Sequence, residues 1–467
     1  MSSLPPRPLS SRSFPPLRGK VSIPGDKSIS HRALMFGGTA LGETKIYGLL
    51  TGEDVIATGR AMTAMGATVR EDGGVWTARG LGVGSLLEPS SALDMGNSGT
   101  STRLLMGLIA ANPIRAKLVG DASLESRPMG RVTKPLRMMG ADFVMSSSSK
   151  PSNSEAIGHN NMPSSSGVIE QKSERLPLTV IGGDMAAIEY ESPVASAQVK
   201  SCLLLAGLNA IGNTSVIEPK PTRDHSERML RAFGAEVITD GNRVTVTGQA
   251  ELQGQQVVVP GDPSSAAFLA VAAAITPGSD LIIENVCLNP TRTGLLLTLA
   301  EMGADIAYQD RRESGGEDVA DVRVRHSALT GVTVPADRAA SMIDEYLILS
   351  VAAACAVGET HMEGLEELRV KESDRLAGAA AILTAAGVPH TMGEDSLIVE
   401  GLGDGQGTAK IPGGGQVHTR LDHRMAMATL ILGGVTQTPM AVDDANCILT
   451  SFPNFESLFN ALGAEFE

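Results

Sequence analysis

The sequence contains few cysteines and no paired cysteine motif. Its four cysteines are widely separated and include no CxxC pair: Cys202, Cys287, Cys355 and Cys447. A disulfide framework or a zinc knuckle is therefore not indicated, and this cysteine usage is typical of a reducing compartment. The eight histidines are also scattered, without an HExxH motif or a Cys/His group, so we expect no metal site.

Aromatic side chains, excess positive charge and long apolar runs are also scarce. Aromatic residues make up 3% of the chain, which leaves little material for the stacking surfaces that bind single-stranded nucleic acid. The formal net charge of −14 disfavours general binding to nucleic acid or to an anionic membrane. The longest apolar run, residues 266–275, is shorter than the roughly 18 residues that indicate a membrane span.

The composition that remains is that of a globular protein. The 467 residues are 42% hydrophobic, which excludes a wholly disordered chain. The first 20 residues lack acidic side chains and include five prolines. A transit peptide has a similar Arg- and Ser-rich composition, but these prolines oppose an amphipathic helix. We therefore predict a disordered tail over residues 1–17 of a cytoplasmic protein.

One pattern recurs six times: an apolar helical stretch, a bulky residue, a glycine, and then a short alternating segment. Its glycines are Gly66, Gly140, Gly234, Gly303, Gly387 and Gly463. We interpret each as the left-handed residue that ends a helix before the chain enters a strand. The longest interval contains residues 146–173, which are rich in Ser, Asn, Gly and Pro. We interpret this segment as a mobile surface insertion, because it has too few apolar side chains to order itself.

A second, longer repeat divides the chain into halves. Pro24-Gly25-Asp26 resembles Pro260-Gly261-Asp262, and each segment precedes a helix rich in small residues. The six units then form two groups of three, and we predict an α/β fold of two similar lobes. Residues 1–24 with 262–467 form the first lobe, and residues 25–261 form the second. A repeat solenoid is the alternative, although units of about 75 residues are long for a solenoid.

Charged and hydroxyl side chains gather at predicted helix starts in the second lobe. Lys27, Ser28 and Arg32 surround one of these starts, with Ser28 as the expected N-cap. A Gly/Ser/Thr-rich loop at 96–103 leads into a helix at 104–110 and matches neither the P-loop nor the Rossmann spacing. Its glycines would let backbone N–H groups approach an anionic or carbonyl oxygen.

The first lobe shows the same feature. Lys371 and Arg375 are spaced to share a helical face, Arg424 precedes an apolar helix, and Asp344 precedes another. Taken singly, these residues also fit a solvated, ion-paired helix face, or an N-cap in the case of Asp344. Together, arginines collected at helix starts of an acidic chain indicate a small, multiply charged anion, because Arg matches carboxylate and phosphate oxygens bidentately.

In order along the chain, these segments resemble the family of 5-enolpyruvylshikimate-3-phosphate synthases. The marker segments are 24–28 (Pro-Gly-Asp-Lys-Ser), 96–100 (Gly-Asn-Ser-Gly-Thr), 127–131 (Arg-Pro-Met-Gly-Arg) and 371–375 (Lys-Glu-Ser-Asp-Arg). Signatures of the class II branch are at 25–27, 196–200 (Ser-Ala-Gln-Val-Lys), 223–227 (Arg-Asp-His-Ser-Glu) and 289–292 (Asn-Pro-Thr-Arg). The resemblance covers residues 18–467 apart from the insertion. It implies two lobes, each of three βαβαββ units around a pseudo-threefold axis, that close over phosphoenolpyruvate and shikimate 3-phosphate.

The resemblance also implies roles for individual residues. Those implied to bind shikimate 3-phosphate are Lys27, Ser28, Arg32, Ser196, Ala197, Gln198, Arg223, Asp344 and Lys371. Those implied to bind phosphoenolpyruvate are Lys27, Gly99, Arg127, Gln198, Arg375 and Arg424. Asp344 and Glu372 are the implied pair for proton transfer, with Lys27 as the third catalytic residue.

The implied reaction is an addition followed by an elimination. The 5-hydroxyl of shikimate 3-phosphate adds to C2 of phosphoenolpyruvate while C3 gains a proton, and phosphate then leaves while C3 loses a proton. These steps need a base for the 5-hydroxyl and a group that first donates a proton to C3 and then removes one. They also need cations around the phosphate and carboxylate groups of the substrates. No metal or organic cofactor is implied. Glyphosate is the expected inhibitor, and we expect a monomer without nucleic-acid or membrane partners.

Three alternatives make different predictions. Enolpyruvyl transferases that act on UDP-N-acetylglucosamine usually carry a cysteine in a mobile loop, and the corresponding residues 120–130 contain none. RNA-cyclase-like enzymes share related repeats, but the acidic charge and the scarce aromatics argue against them. A non-catalytic repeat scaffold predicts that Asp344 and Glu372 can be replaced without loss of function. A lysine expected near residue 450 in the class I pattern is absent here, as it is in class II.

Overall fold

The computed structural model describes residues 5–145 and 174–467. The predicted insertion at 146–173 lies outside the described residues. The helices are α1 (Lys27–Gly37), α2 (Glu53–Ala64), α3 (Gly99–Ala110), α4 (Ala122–Ser126), α5 (Gly130–Met139), α6 (Ala197–Gly207), α7 (His225–Ala232), α8 (Pro263–Ile275), α9 (Gly294–Glu301), α10 (Ala339–Met342), α11 (Tyr346–Ala354), α12 (Arg375–Ala386), α13 (His423–Gly433) and α14 (Phe455–Ala461). Short 3-10 helices lie at Ala336–Arg338, Glu366–Val370 and Asn446–Thr450.

The strands are short, and most have two to five residues. They are β1 (Leu9–Ser10), β2 (Arg18–Ser22), β3 (Thr44–Tyr47), β4 (Thr68–Asp72), β5 (Val75–Arg79), β6 (Leu93–Asp94), β7 (Arg115–Val119), β8 (Asp142–Met145), β9 (Leu178–Ile181), β10 (Glu189–Glu191), β11 (Asn213–Ile217), β12 (Val237–Asp240), β13 (Arg243–Thr247), β14 (Gln256–Val258), β15 (Asp280–Cys287), β16 (Asp305–Ser314), β17 (Glu317–Arg325), β18 (Thr333–Val334), β19 (Val357–Met362), β20 (His390–Met392), β21 (Leu397–Leu402), β22 (Gln416–Val417) and β23 (Ala441–Val442).

These strands form six small sheets with one recurring plan. In the sheet β10-β11-β13-β12 the first pair is parallel and the other pairs are antiparallel. The parallel pair needs a crossover, and α6 supplies it. The same plan recurs in β6-β7-β9-β8, β14-β3-β5-β4, β16-β17-β15-β2 and β18-β19-β21-β20, and the sixth sheet, β1-β23-β22, has three strands. The predicted α/β fold of repeated βαβαββ units is confirmed.

The six repeated glycines all adopt the predicted left-handed conformation. Their φ angles are 98° at Gly66, 116° at Gly140, 98° at Gly234, 93° at Gly303, 74° at Gly387 and 86° at Gly463. Each follows the last residue of a helix by one or two positions, and the first five lead into a strand. A side chain with a Cβ is strained at such angles, which explains why glycine occupies the same place in every unit.

Within residues 5–145 and 174–467, buried apolar side chains form two separate cores. One core draws on residues 29–259, and the other on residues 9–17 and 266–464. The chain passes between the cores at both Pro-Gly-Asp segments, where Gly25 and Gly261 form an isolated bridge. A Cβ at Gly25 would lie 2.0 Å from the carbonyl oxygen of Gly48, so the first of these passages requires glycine.

The prediction of a disordered tail over residues 1–17 is wrong for residues 5–17. Strand β1 pairs with β23 and completes the sixth sheet. Leu17 is fully buried, and the Phe14 ring packs edge-on against Phe466. The apolar residues spaced between the prolines have a partner surface only in the last unit of the chain, which is remote in sequence. Residues 1–4 lie outside the described residues.

Within the described residues, no helix combines the length and the apolar character needed to cross a membrane.

Candidate active site

Segments from both cores line a cavity of about 600 Å³. Most of the residues implied by the family resemblance lie on its wall: Lys27, Ser28, Gly99, Arg127, Ser196, Ala197, Gln198, Arg223, Asp344, Lys371, Glu372 and Arg424. Arg32 and Arg375 do not line the cavity. Stretches that are remote in sequence therefore converge on one site.

The cavity is built largely from the first turns of helices. Residues of α1, α3, α6, α8 and α13 line it, and Asp344 lies just before α11. The N-caps of the five helices are Asp26, Ser98, Ser196, Asp262 and Asp422, each of which accepts a hydrogen bond from a backbone N–H two or three residues later. The free N–H groups and the positive end of each helix dipole therefore favour an anion in this cavity.

The charges on the wall have the opposite balance to the chain as a whole. Nine Lys or Arg residues and six Asp or Glu residues line the cavity, although the chain carries a net charge of −14. Ion pairs join the two cores across it, including Arg131 Nη1 to Glu367 Oε2 at 2.9 Å and Arg223 Nη2 to Asp344 Oδ2 at 2.5 Å. The site is therefore locally cationic, as a binding site for small anions requires.

Lys27 begins helix α1, and its Nζ forms an ion pair with the buried carboxylate of Asp54. Burial raises the pKa of Asp54 more than the neighbouring Lys27 ammonium lowers it. The expected N-cap Ser28 is not the cap, because Asp26, two residues earlier, accepts the hydrogen bond from Ile29 N and α1 begins at Lys27. Asp54 carries no signal in the sequence, since it meets Lys27 only through the packing of α2 against α1.

Arg127 is 5% exposed and is held rigidly. Its Nη2 donates to Asn97 Oδ1 at 2.5 Å and to Ser123 Oγ at 3.0 Å, and its Nη1 donates to the Asn97 carbonyl at 3.2 Å. These acceptors are neutral, and the nearest ion pair of Arg127 is with Glu372 at 3.9 Å. Much of its positive charge is therefore available to a ligand.

The two carboxylates of the implied proton-transfer pair share a single guanidinium. Arg375 Nη1 lies 3.0 Å from Asp344 Oδ1, and Arg375 Nη2 lies 2.6 Å from Glu372 Oε2. Burial alone raises both carboxyl pKa values, but the neighbouring cations, led by Arg223 at Asp344 and by Arg375 at Glu372, bring each pKa well below its ordinary range. Both groups are therefore ionised at neutral pH without ligand.

Arg375 and Arg32 lie behind the wall of the cavity. Arg375 is 1% exposed, and its Nε donates to Asp422 Oδ2 at 2.9 Å. Arg32 donates to Ser226 Oγ at 2.7 Å and to Ser201 Oγ at 2.8 Å. Burial lowers the pKa of Arg32 to about 10. In this state both side chains are engaged by protein acceptors instead of facing the cavity.

The sequence predictions for the segment around Lys371 need a correction. Lys371 and Arg375 do not share a helical face, because Lys371 is extended between a 3-10 helix and α12, whose N-cap is Asp374. Likewise, Asp344 does not cap a helix, since α11 begins at Tyr346 after Glu345. Burial lowers the pKa of Lys371 from its ordinary value, partly offset by Asp344.

Five further basic or histidine side chains line the cavity but were not predicted: Arg103, Arg131, Lys220, Arg292 and His423. Four of them belong to segments that sequence analysis singled out, so the signal was present without a residue-level assignment. Burial lowers the pKa of His423 well below its ordinary value, and the nearby Lys27 lowers it further. His423 is therefore neutral at pH 7.

One cluster away from the cavity centre has the composition of a metal site. Asp224, His225 and Glu317 place one potential ligand atom each within 4.8 Å of one another. Asn289 Nδ2 donates to Asp224 Oδ1 at 2.6 Å and to Glu317 Oε2 at 2.8 Å, and Arg228 pairs with Asp224. Because protein donors already engage these oxygens, we interpret the cluster as a structural hydrogen-bond network.

The repeated two-lobed fold and the cationic cavity at its helix N-termini define an enolpyruvyl transferase. The family model for EPSP synthase (3-phosphoshikimate 1-carboxyvinyltransferase) matches residues 12–156 and 167–459. The chain therefore belongs to the EPSP synthase family. The break in the match, at 157–166, falls inside the predicted insertion.

Individual relatives agree with this assignment. A 3-phosphoshikimate 1-carboxyvinyltransferase from Chelativorans sp. (strain BNC1) is 54% identical over 470 residues, covering 99% of this chain and 98% of that protein. One from Brucella canis is 53% identical over 466 residues, covering 98% of this chain and 97% of that protein. The solved structure of EPSP synthase from Acinetobacter baumannii matches with a TM-score of 0.82 at 43% identity, covering 98% of this chain and 99% of that one.

Proposed function

We propose that this chain transfers the enolpyruvyl group of phosphoenolpyruvate to the 5-hydroxyl of shikimate 3-phosphate and releases phosphate. The reaction belongs to the shikimate pathway, which leads to chorismate and the aromatic amino acids. The observation that carries the proposal is the convergence of Lys27, Arg127, Arg223, Lys371 and Arg424 on one cavity. Two substrates with a phosphate and a carboxylate each need such a concentration of positive charge.

Shikimate 3-phosphate binds, in this proposal, along the first turn of α6. Ser196, Ala197, Gln198 and Arg223 line the cavity there, and Ser196 is the N-cap of α6. Lys371 contacts a ring hydroxyl, and Ser28 contacts the carboxylate. Arg32 donates through Nη1 to the Ser28 carbonyl at 2.9 Å, and it contributes from behind the wall by holding this turn in place.

Phosphoenolpyruvate binds against Arg127, Arg424 and the first residue of α3, Gly99. Arg424 Nη1 donates to the Asp344 carbonyl at 2.9 Å, which aims the guanidinium along the cavity wall. Arg375 attracts this ligand electrostatically from behind the cavity wall, without direct contact, because its guanidinium is paired with Asp344 and Glu372. Lys27 lies between the two substrates and contacts both.

Proton transfer follows from the state of the two carboxylates. Asp344 is ionised and therefore serves as the base that accepts the proton of the 5-hydroxyl. Glu372 is also ionised without ligand and must gain a proton before it can protonate C3. The anionic groups of phosphoenolpyruvate, placed beside Arg127, oppose the negative charge of Glu372 and raise its pKa. Substrate binding thus prepares the acid that the addition step needs.

We further propose that the chain acts as a cytoplasmic monomer and that glyphosate competes with phosphoenolpyruvate. The cavity supports the second statement, because a molecule with a phosphonate and a carboxylate requires the same cations, Arg127 and Arg424.

The direct test is the release of inorganic phosphate when purified protein is mixed with shikimate 3-phosphate and phosphoenolpyruvate. Arg127→Ala should raise the KM for phosphoenolpyruvate by an amount equivalent to about 2–5 kcal/mol, because it removes a buried cation from a charged pair. Asp344→Ala should lower kcat more than it raises either KM. Absence of phosphate release by the wild-type protein would refute the function, and unchanged kinetics in both variants would refute the assigned site.

A further inference from the structure

Arg103 is a cavity-lining cation that the family resemblance leaves without a role. It lies in the second turn of α3 and lines the cavity together with Arg127 and Gln198. Arg103 Nη1 donates to Gln198 Oε1 at 2.7 Å, and Nη2 donates to the Pro128 carbonyl at 3.4 Å. Both acceptors are uncharged.

Arg103 differs from its neighbours in having no carboxylate partner within residues 5–145 and 174–467. Arg131 pairs with Glu367, Arg223 with Asp344, and Arg424 with Glu345. Burial, together with the charges of Arg127 and Arg131, lowers the pKa of Arg103 to about 10, although Glu372 and Glu367 partly offset this effect. A desolvated cation beside other cations is costly unless an anion is supplied. Because no carboxylate of the described residues forms an ion pair with Arg103, a ligand in the cavity can supply the close anion.

The position of Arg103 indicates which part of the cavity that anion occupies. A Cβ built on Gly99 would lie 3.0 Å from Arg127 Nη1 and 3.1 Å from Arg103 Nη1. The two guanidinium groups therefore approach the same point above the first residue of α3. This point also lies at a helix N-terminus, where backbone N–H groups are free.

Arg103 also determines how Gln198 faces the cavity. An arginine has no acceptor atom, so the oxygen of the Gln198 amide must point toward Arg103. The amide nitrogen is then directed to Thr100 Oγ1, which lies at 3.1 Å. Gln198 is thereby held in one orientation by two residues of α3 before any ligand arrives.

We propose that Arg103 is a second cation of the anion site at Gly99 and a positioning residue for Gln198. Together with Arg127, Arg103 binds the phosphate group of phosphoenolpyruvate, and it also binds the inorganic phosphate that the reaction releases. This inference deepens the proposed function and rests on it for the identity of the substrate. Its chemical content, an oxyanion held between Arg103 and Arg127, is independent of turnover.

The test compares Arg103→Met, which removes the charge and keeps the length, with Arg103→Lys, which keeps a charge and loses the fork. Arg60→Met is the matched control, because Arg60 is exposed on α2 and does not line the cavity. The KM for phosphoenolpyruvate is measured at saturating shikimate 3-phosphate. Calorimetric titration of inorganic phosphate into the protein loaded with shikimate 3-phosphate measures binding without a reaction.

Arg103→Met should weaken both phosphoenolpyruvate and inorganic phosphate by about thirtyfold or more, with a smaller loss in Arg103→Lys and none in Arg60→Met. The affinity for shikimate 3-phosphate should change much less, whereas a general structural defect would weaken all three ligands equally. An equal loss for all three, or unchanged phosphate binding in Arg103→Met, would overturn the inference. If Arg103→Met does not fold, Arg103→Lys decides alone, and unaltered phosphate affinity in that variant overturns it.

If the wild-type protein binds phosphate through Arg103 but releases none from the two substrates, the proposed function fails and the anion site stands. If the wild-type protein turns over both substrates but the Arg103 variants bind phosphate normally, the inference about the anion site fails and the proposed function stands.

Discussion

Replacing Gly99 by alanine tests how tightly the cavity fits its ligand. Gly99 is the first residue of α3, and its φ angle is not in the left-handed region, so alanine is compatible with the backbone. Alanine also favours a helix over glycine by roughly 0.5–1 kcal/mol. We therefore expect no loss of thermal stability. The effect of the methyl group should appear only in ligand binding.

The expected magnitude follows from the two guanidinium groups above Gly99. The added methyl would lie 3.0 Å from Arg127 Nη1 and 3.1 Å from Arg103 Nη1, so each group must retreat by a few tenths of an ångström. Arg127 cannot retreat easily, because Asn97 and Ser123 hold it. The crowding therefore falls on the ligand, at a cost of about 1–3 kcal/mol for a poorly accommodated methyl group. This corresponds to roughly 5- to 150-fold in affinity.

The added methyl group should weaken the binding of phosphoenolpyruvate and of glyphosate to different extents. Glyphosate has a longer chain between its two anionic ends, so if it occupies the proposed site it should fill more of the space beside Gly99. We expect Gly99→Ala to raise the inhibition constant of glyphosate by roughly 5- to 150-fold. The KM for phosphoenolpyruvate should rise by a factor equivalent to less than about 1 kcal/mol. The assay is phosphate release at saturating shikimate 3-phosphate, with glyphosate varied against phosphoenolpyruvate. Equal changes in the two constants would refute the steric argument.

Gly183→Ala is the matched control for this experiment. A methyl group at Gly183 would have no atom within 4 Å, and Gly183 does not line the cavity. Both constants should stay at their wild-type values in this variant.

Two further predictions concern stability. Lys200 Nζ lies 2.7 Å from both Glu218 Oε2 and Glu227 Oε1, and all three side chains are buried. Lys200→Met leaves two buried carboxylates without their cation and should lower the free energy of unfolding in urea by about 3–5 kcal/mol. For Asp422, burial raises the carboxyl pKa, but the charge of Arg375 has the larger opposite effect. The pKa of Asp422 in the folded protein is therefore below its ordinary value of 3.8. The ionised Asp422 carboxylate therefore stabilises the folded protein above pH 3.8, and this stabilisation is lost as the pH falls through the lower folded-state pKa. The free energy of unfolding of Asp422→Asn should fall less than that of the wild type over the same pH range.

Each stability prediction has its own control and contrary result. Lys220→Met removes an exposed lysine that pairs with an exposed aspartate, and it should change the free energy of unfolding by less than about 1 kcal/mol. A similarly small change in Lys200→Met would contradict the account of the buried cluster. A wild-type unfolding free energy that stays level as the pH falls below 3.8 would contradict the assignment at Asp422.

The helix ends were predictable because the signals that specify them are local. In each of the six repeated units the glycine lies at the helix end, and all six of these glycines have the predicted left-handed φ. The marker segments likewise predicted which residues would reach one cavity, with Arg32 and Arg375 as the two that do not line it. For these two, the local pattern contains no information about the hydroxyl and carboxylate acceptors that hold them behind the wall.

Other features depended on partners that are distant along the chain. Residues 5–17 have the composition of a tail, and they are ordered only because β1 finds β23, more than 400 residues away. Asp54 and Arg103 resemble ordinary helix residues until the packing of α2 and α3 places them beside Lys27 and Gln198. Such contacts carry no periodicity or spacing that sequence analysis can detect.

By itself, the sequence determined the repeat, the α/β architecture, the cationic character of the helix starts and the family, since these depend on residue type and local spacing. Tertiary structure decided which cations face the cavity and which are neutralised behind it. The reason is electrostatic, because the charge available to a ligand depends on burial and on counter-ions brought from remote segments. Arg375 forms ion pairs with three carboxylates, whereas Arg103 forms none within the described residues, so the same side chain occupies two different environments.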